Sequence, residues 1–104
     1  MIDVKELAKQ VALVAARHPQ GQNCGYAYFD EDGEACDIIG RALADLGLHD
    51  DVAPEDNTTP ITFLYCGTSR HKDFLTVVQG LTDEGSEWLP AVIQASRVLL
   101  NTKE

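Results

Sequence analysis

The chain has little positive charge. Eight lysine and arginine residues face seventeen aspartate and glutamate residues, which gives a formal net charge of −9 at pH 7. Proteins that bind nucleic acid directly normally carry a basic patch, and anionic membrane surfaces attract basic residues. We therefore predict no direct contact with nucleic acid or with a membrane. Such acidity favours solubility and also fits a protein partner with a basic surface.

Long apolar runs and targeting segments are also missing. No stretch approaches the ~18 apolar residues of a membrane span, and the start, Met1-Ile2-Asp3-Val4, lacks the apolar region of a signal peptide. We expect a cytoplasmic protein. The 104 residues predict a single domain, 1–104, and the hydrophobic content of 44% suffices for one core.

Familiar catalytic signatures are absent too. The sequence has no Walker phosphate loop, no dinucleotide fingerprint, no Gly-x-Ser-x-Gly and no His-Glu-x-x-His. We predict no catalytic residues, no metal and no cofactor.

Cysteine is sparse, with three residues at positions that match no zinc pattern. Disulfides are rare in a reducing compartment. If residues 24–36 form a hairpin, Cys24 and Cys36 lie roughly 13 Å apart along the ladder, which is too far for a disulfide.

The most informative stretch runs from Cys24 to Gly47. Its aromatic run, 26–29, suits a half-buried strand. The acidic residues 30–32 followed by Gly33 predict a turn with Gly33 at positive φ. A return strand would then place Phe29 beside Ala35, and it would put Cys24, Tyr26, Tyr28 and Cys36 on one face.

A helix is predicted directly after this hairpin. Asp37 is a suitable N-cap, and Gly47 is the expected residue after the helix. The apolar residues recur at helical spacing: Ile38, Ile39, Ala42, Leu43 and Leu46. Gly40 inside the helix predicts a close backbone approach, which we place at the hairpin.

The rest of the chain is mostly helical. Asp3 caps a first helix that ends at Pro19, Arg70 to about Asp83 form another, and Ser86 caps a last one. Residues 49–59 form an acidic loop, and residues 61–66 fit a short helix better than a strand. The predicted fold is α+β: a mostly helical small domain, with about four helices packed around a two-stranded β-hairpin.

Several of these positions resemble a pattern in small uncharacterised proteins of actinobacteria and their phages, where a hairpin leads into a Cys-x-x-Gly-x-Ala-Leu-type helix. The matching positions in the central stretch are Gly33, Cys36, Ile38-Ile39-Gly40, Ala42-Leu43 and Leu46-Gly47. Those in the C-terminal half are Phe74-Leu75, Val78-Gln79, Asp83, Gly85, Trp88 and Ala91-Val92, and the chain departs from the pattern at Leu89-Pro90. The resemblance implies a shared origin and fold, with no particular activity.

We interpret the chain as a non-catalytic accessory or regulatory protein that works through protein contacts. The resemblance adds that it is phage-encoded and acts on a host component. The predicted contact residues are the carboxylates of the hairpin tip and the acidic loop: Asp30, Glu31, Asp32, Asp50, Asp51, Glu55 and Asp56.

Two alternatives stay open. One is a thiol-dependent or metal-assisted enzyme built on Cys36, which precedes a helix start that favours thiolate, with a histidine as partner. The other is a structural homodimer that pairs through Trp88 and the last helix.

Overall fold

Helix α1 spans Val4–Arg17 and forms one side of the core. The computed structural model describes residues 3–64 and 70–101, with the backbone alone for 98–101. The Asp3 carboxylate accepts a hydrogen bond from the Lys5 N–H at 2.9 Å, which confirms the predicted cap. The apolar stripe faces inward, and its buried members are Leu7, Ala8, Val11, Val14 and Ala15. Burial of this stripe holds α1 against the other helices.

Helices α4 and α5 complete the scaffold. Helix α4 spans Arg70–Asp83 and α5 spans Trp88–Asn101. Between α1 and α4, helix α2 spans Ile38–Asp45 and α3 spans Ile61–Leu64. A four-residue connection joins α4 to α5, and both pack against α1. The bounds predicted for α4 are confirmed.

The start of α5 is secured by the loop that follows α1. Its first two N–H groups, on Trp88 and Leu89, donate to the carbonyls of Gly21 and Pro19 at 2.8 and 3.2 Å. The Ala91 N–H donates to the Glu87 carbonyl, so Glu87 occupies the N-cap position and the prediction of Ser86 as the cap is wrong.

Helix α2 begins and ends as its sequence predicts. The Asp37 carboxylate accepts from the Gly40 N–H at 2.5 Å. At the other end, Gly47 has a φ of 73°, and the Leu48 N–H donates to the Leu43 carbonyl at 2.8 Å. These features form a Schellman motif. A Cβ at position 40 would clash with the Tyr28 carbonyl, so the predicted close approach at Gly40 is confirmed.

The predicted β-hairpin is wrong. The turn itself forms, with Gly33 at a φ of 81° and an isolated antiparallel bridge between Phe29 and Ala35, but residues 3–64 and 70–101 contain no strand. Tyr28 and Phe29 are adjacent, and both are buried. The Tyr28 N–H donates to the Asn57 carbonyl at 2.9 Å and not to the Cys36 carbonyl, so the pairing stops after one bridge and the chain bends.

Because of the same bend, two further predictions for this region are wrong: the shared face of Tyr26 and Tyr28, and the large separation of Cys24 and Cys36. Tyr26 is 72% exposed whereas Tyr28 is fully buried, so they do not share a face. Cys24 and Cys36 form a disulfide, with their Cα atoms 5.3 Å apart. The predicted separation assumed an extended segment between Cys24 and Phe29. The chain instead curls back, and the Cys24 N–H donates to the Cys36 carbonyl at 2.8 Å.

The acidic loop is more ordered than its composition suggests. It contains two 3₁₀ turns, His49–Asp51 and Pro54–Asp56. Helix α3, Ile61–Leu64, then confirms the helical interpretation of residues 61–64; Tyr65 and Cys66 lie outside the described residues. The Gln79 side chain fixes its start, because Oε1 accepts from the buried Ile61 N–H at 2.7 Å.

The architecture is therefore a small, mainly α domain and not the α+β fold predicted from the sequence. The described part of the chain holds five α-helices and one contiguous core of buried apolar side chains. The radius of gyration of 12.5 Å matches the ~13 Å expected of one compact domain of this length. None of the helices in the described ranges is both long and apolar enough to cross a membrane.

Candidate functional site

The net negative charge of the chain comes from one segment. Residues 24–64, here called the acidic segment, hold ten carboxylates and one arginine, and so carry the entire formal net charge of −9. The remaining residues hold seven acidic and seven basic side chains. The single cation, Arg41, pairs with Asp45 of its own helix at 3.5 Å. The acidic segment is thus a region of strongly negative potential on a neutral scaffold.

The fold brings the 30–33 turn and the 49–57 loop together around a groove of about 250 Å³. Its lining comprises Phe29, three turn residues and five loop residues: Asp30, Glu31 and Gly33 of the turn, and His49, Val52, Ala53, Pro54 and Asn57 of the loop. We call this the 29–57 groove. Two sequence-distant acidic stretches that were predicted separately therefore border one concave surface.

Asn57 fixes the two walls of the groove relative to each other. Its side-chain oxygen accepts from the Phe29 N–H at 3.0 Å, and its amide nitrogen donates to the Phe29 carbonyl at 2.8 Å. Its own carbonyl accepts from the Tyr28 N–H at 2.9 Å. One asparagine thus satisfies the backbone groups that a neighbouring strand would otherwise have paired.

His49 lies where the turn meets the loop. Its ring packs on Phe29 with centroids 4.1 Å apart, and a Cβ at Gly33 would come within 3.5 Å of its Nε2. The side chain remains 46% exposed and approaches Asp50 at 3.2 Å. His49 therefore presents part of an aromatic surface beside the carboxylates of the groove.

The predicted contact residues divide by role. Asp30 is used by the turn, because its Oδ1 accepts from the N–H groups of Asp32 and Glu34 at 2.9 Å each. Asp56 is half-buried and accepts from the Thr59 hydroxyl at 3.3 Å. Both carboxylates are thus partly committed to holding the local structure.

Asp50 is also exposed, and its carboxylate lies 3.2 Å from His49 Nδ1. Four other predicted residues point to solvent, namely Glu31, Asp32, Asp51 and Glu55. Among the residues that the structure describes, no lysine or arginine forms a salt bridge with any of these four. Only Glu31 of the four lines the groove. These side chains are free to meet positive charge on another molecule.

A second polar cluster lies outside the groove and centres on Asn23. Its Oδ1 accepts from the Ile38 N–H at 3.1 Å and from Trp88 Nε1 at 3.0 Å. Its Nδ2 donates to Thr82 Oγ1 at 3.0 Å and to Asp83 Oδ1 at 2.9 Å. One amide therefore joins the start of α2, the end of α4 and the start of α5.

Two carboxyl groups near Asn23 have shifted pKa values. Burial raises the pKa of Asp37 to about 7; the Gly40 N–H opposes this shift, and the charge of Asp83 adds to it. Partial burial also raises the pKa of Asp83, against the donor from Asn23. Asp37 is 1% exposed, and its Oδ2 has no hydrogen-bond partner among the described atoms. Because neither group lines the groove, we assign this cluster to the architecture.

The alternative functions find less support in the geometry. The sulfur of Cys36 is bonded to Cys24, so it is not a free nucleophile in this structure. The Trp88 ring packs over Gly21, and its N–H is bonded to Asn23, so it is engaged within the domain. Within residues 3–64 and 70–101, no three histidine, cysteine or acidic side chains are grouped to hold a metal ion.

Sequence reasoning found the acidic residues of this surface but missed two features. Between Arg17 and Arg70 the only basic residue is Arg41. This scarcity was visible in the sequence and indicates that negative charge is concentrated there. His49 and Asn57 gave no local signal, because their roles depend on Phe29, at least twenty residues away.

Comparison with known proteins gives no match to a protein-family model, to a curated protein or to a solved structure.

Proposed function

We propose that this protein is a small non-catalytic binding module whose acidic segment docks on the basic surface of a partner protein. The observation that carries the proposal is the segregation of charge: residues 24–64 hold the whole net charge, and the rest of the chain is balanced. A segregated field steers a complementary partner to one face and sets its orientation. Even spacing of the same carboxylates would serve solubility alone.

The shape of the segment supports the same function. The exposed, unpaired carboxylate of Glu31 lines a groove whose walls are fixed by Asn57 and by the Asp30 turn. A surface fixed before binding loses little conformational entropy when a partner docks. The resemblance to actinobacterial and actinophage proteins suggests a phage-encoded regulator directed at a host component.

The test compares two variants that differ only in where charge is reversed. The first replaces Glu31, Asp32, Asp51 and Glu55 with lysine. The second replaces Glu6, Asp73, Glu84 and Glu87, which are exposed carboxylates outside the segment. Both variants have the same formal net charge. Tagged wild type and both variants are used to capture partners from an actinobacterial lysate, after circular dichroism has established that each is folded.

We expect one basic-faced protein to be retained by the wild type and by the second variant, and to be lost with the first. Its affinity should fall by at least about tenfold, because rim charges removed together act on the rate of association. Equal loss in both variants would mean that net charge alone matters. Equal retention in both would remove the acidic segment from the interaction.

A further inference from the structure

The 29–57 groove is too small for a typical organic ligand. Its volume of about 250 Å³ lies below the roughly 300–1,000 Å³ of small-molecule sites. A single long side chain from a docked protein fits this space better. This argument rests on the proposed function, since it assumes a protein partner with a basic surface.

The groove lining selects among the basic side chains. Glu31 supplies an exposed carboxylate without a salt-bridge partner in the described ranges. His49 supplies a half-exposed aromatic ring, which packs on Phe29. Val52 and Pro54 add apolar lining to the same groove. A carboxylate, an aromatic face and an apolar wall together match a cation with an aliphatic stem.

Arginine meets these conditions better than lysine. Its guanidinium is planar, stacks on aromatic rings and binds a carboxylate through two parallel N–H groups. The ammonium of lysine is a compact, strongly hydrated charge that gains less from an aromatic face. Charge complementarity with the acidic segment favours either cation, and stacking on the ring of His49 favours arginine over lysine.

We propose that the 29–57 groove is a subsite for one arginine side chain of the partner, with the guanidinium stacked on His49 and held by Glu31. The methylene stem then lies along Val52 and Pro54. The other carboxylates of the segment contribute the longer-range field and not the specificity.

The experiment uses three peptides that differ at one position: acetyl-Gly-Gly-Arg-Gly-Gly-amide and its lysine and citrulline counterparts. Citrulline keeps the size of arginine without its charge. Each peptide is titrated into the ¹⁵N-labelled full-length protein, and the amide resonances of Gly33 and Ala53, which line the groove, report binding. We expect saturable shifts with arginine, at least about threefold weaker binding with lysine and no saturable shift with citrulline.

Two matched variants locate the contact. Glu31→Gln and Glu34→Gln each remove one carboxylate from the same exposed turn, but only Glu31 lines the groove. We expect Glu31→Gln to weaken the arginine peptide by about tenfold, the loss of a charge-assisted pair. Glu34→Gln should change its affinity by less than about twofold. His49→Ala should remove the preference for arginine over lysine.

Equal affinity for arginine and lysine, or equal effects of the two glutamine variants, would overturn the arginine subsite. So would the absence of shifts at Gly33 and Ala53. If the peptides fail while partner capture still depends on the acidic segment, the proposed function stands and only the subsite is lost. If capture is also unaffected by charge reversal there, both are lost.

Discussion

The acidic segment and the helical scaffold are stabilised in different ways. Helices α1, α4 and α5 pack through apolar side chains such as Leu7, Val11 and Leu75, all fully buried. Hydrophobic burial has no direction and tolerates many sequences.

The acidic segment contributes Tyr28 and the buried face of α2 to the same core, and depends in addition on directional contacts from single polar side chains. Asn57 pairs with the Phe29 backbone, Gln79 with Ile61, and Asn23 with Ile38. Each of these contacts fails if one amide is lost. Apolar burial therefore stabilises both regions, whereas single amides give the segment a defined shape at a cost in charge repulsion.

The largest expected effect concerns the disulfide. Reducing the Cys24–Cys36 bond should lower the free energy of unfolding by about 3 kcal/mol, because the bond closes a loop of twelve-residue separation in the unfolded chain. Denaturant unfolding with and without reductant measures this change. Thiol titration of the unreduced, unfolded protein should find one free cysteine per chain. Three free thiols would show that the bond does not form, and the segment would then be held by its buried side chains and hydrogen bonds without a covalent link.

The same substitution in the two regions should have opposite effects. Gly40→Ala should destabilise the protein by about 2–3 kcal/mol, since a Cβ at this position clashes with the Tyr28 backbone. Gly80→Ala in α4 has open space around it and should stabilise by up to about 1 kcal/mol through helix propensity. Thermal denaturation of both variants measures these two changes in stability. Stabilisation by both would mean that α2 does not lie against Tyr28.

The buried carboxylate Asp37 should make stability depend on pH. Its pKa is raised from an ordinary 3.8 to about 7 by burial, so the folded state binds its proton more tightly than the unfolded state. This contribution is complete below about pH 4 and declines as the pH rises to about 7, by at most about 1.4 kcal/mol per unit.

Asp37→Asn keeps a capping oxygen and removes the charge. At pH 8 it should be more stable than the wild type by about 1 kcal/mol or more, and its stability should vary less between pH 4 and 7. Denaturant unfolding across this range provides the measurement. Asp32→Asn, an exposed change, should retain the wild-type slope. An unchanged slope in Asp37→Asn would show that Asp37 is ionised throughout.

The smallest expected effect concerns the single cation of the acidic segment. Arg41→Ala should cost less than about 0.5 kcal/mol, because the Arg41–Asp45 pair is largely exposed and screened. Urea unfolding at low and high salt tests this. A loss above about 1 kcal/mol would show that Arg41 offsets the repulsion of the whole segment, and the contrast between the two regions would then depend on one residue.

Much of the helical architecture could be predicted from the sequence. The Asp3 and Asp37 caps, the bounds of α4 and the glycines at 33 and 47 follow from local rules, because a cap or a left-handed turn involves only a few adjacent residues. The close approach at Gly40 was also predictable, since a mid-helix glycine costs free energy and so indicates contact.

The remaining features depended on residues far apart in the sequence. Local composition at 24–36 favours a hairpin, but the ladder ends at Tyr28, because its N–H donates to the Asn57 carbonyl and the Cys36 carbonyl accepts from the Cys24 N–H instead. The predicted separation of Cys24 and Cys36 was wrong for the same reason, because it assumed an extended chain.

By itself, then, the sequence determined the caps of α1 and α2, the bounds of α4, which helix faces are buried and that the chain is strongly acidic, because these follow from local geometry and composition. The tertiary structure decided that the Asp30 turn and the 49–57 loop share one groove, that His49 and Glu31 both line it, and that the segment is held by single amides. Such contacts join residues fifteen or more positions apart, and their geometry exists only once the core has packed.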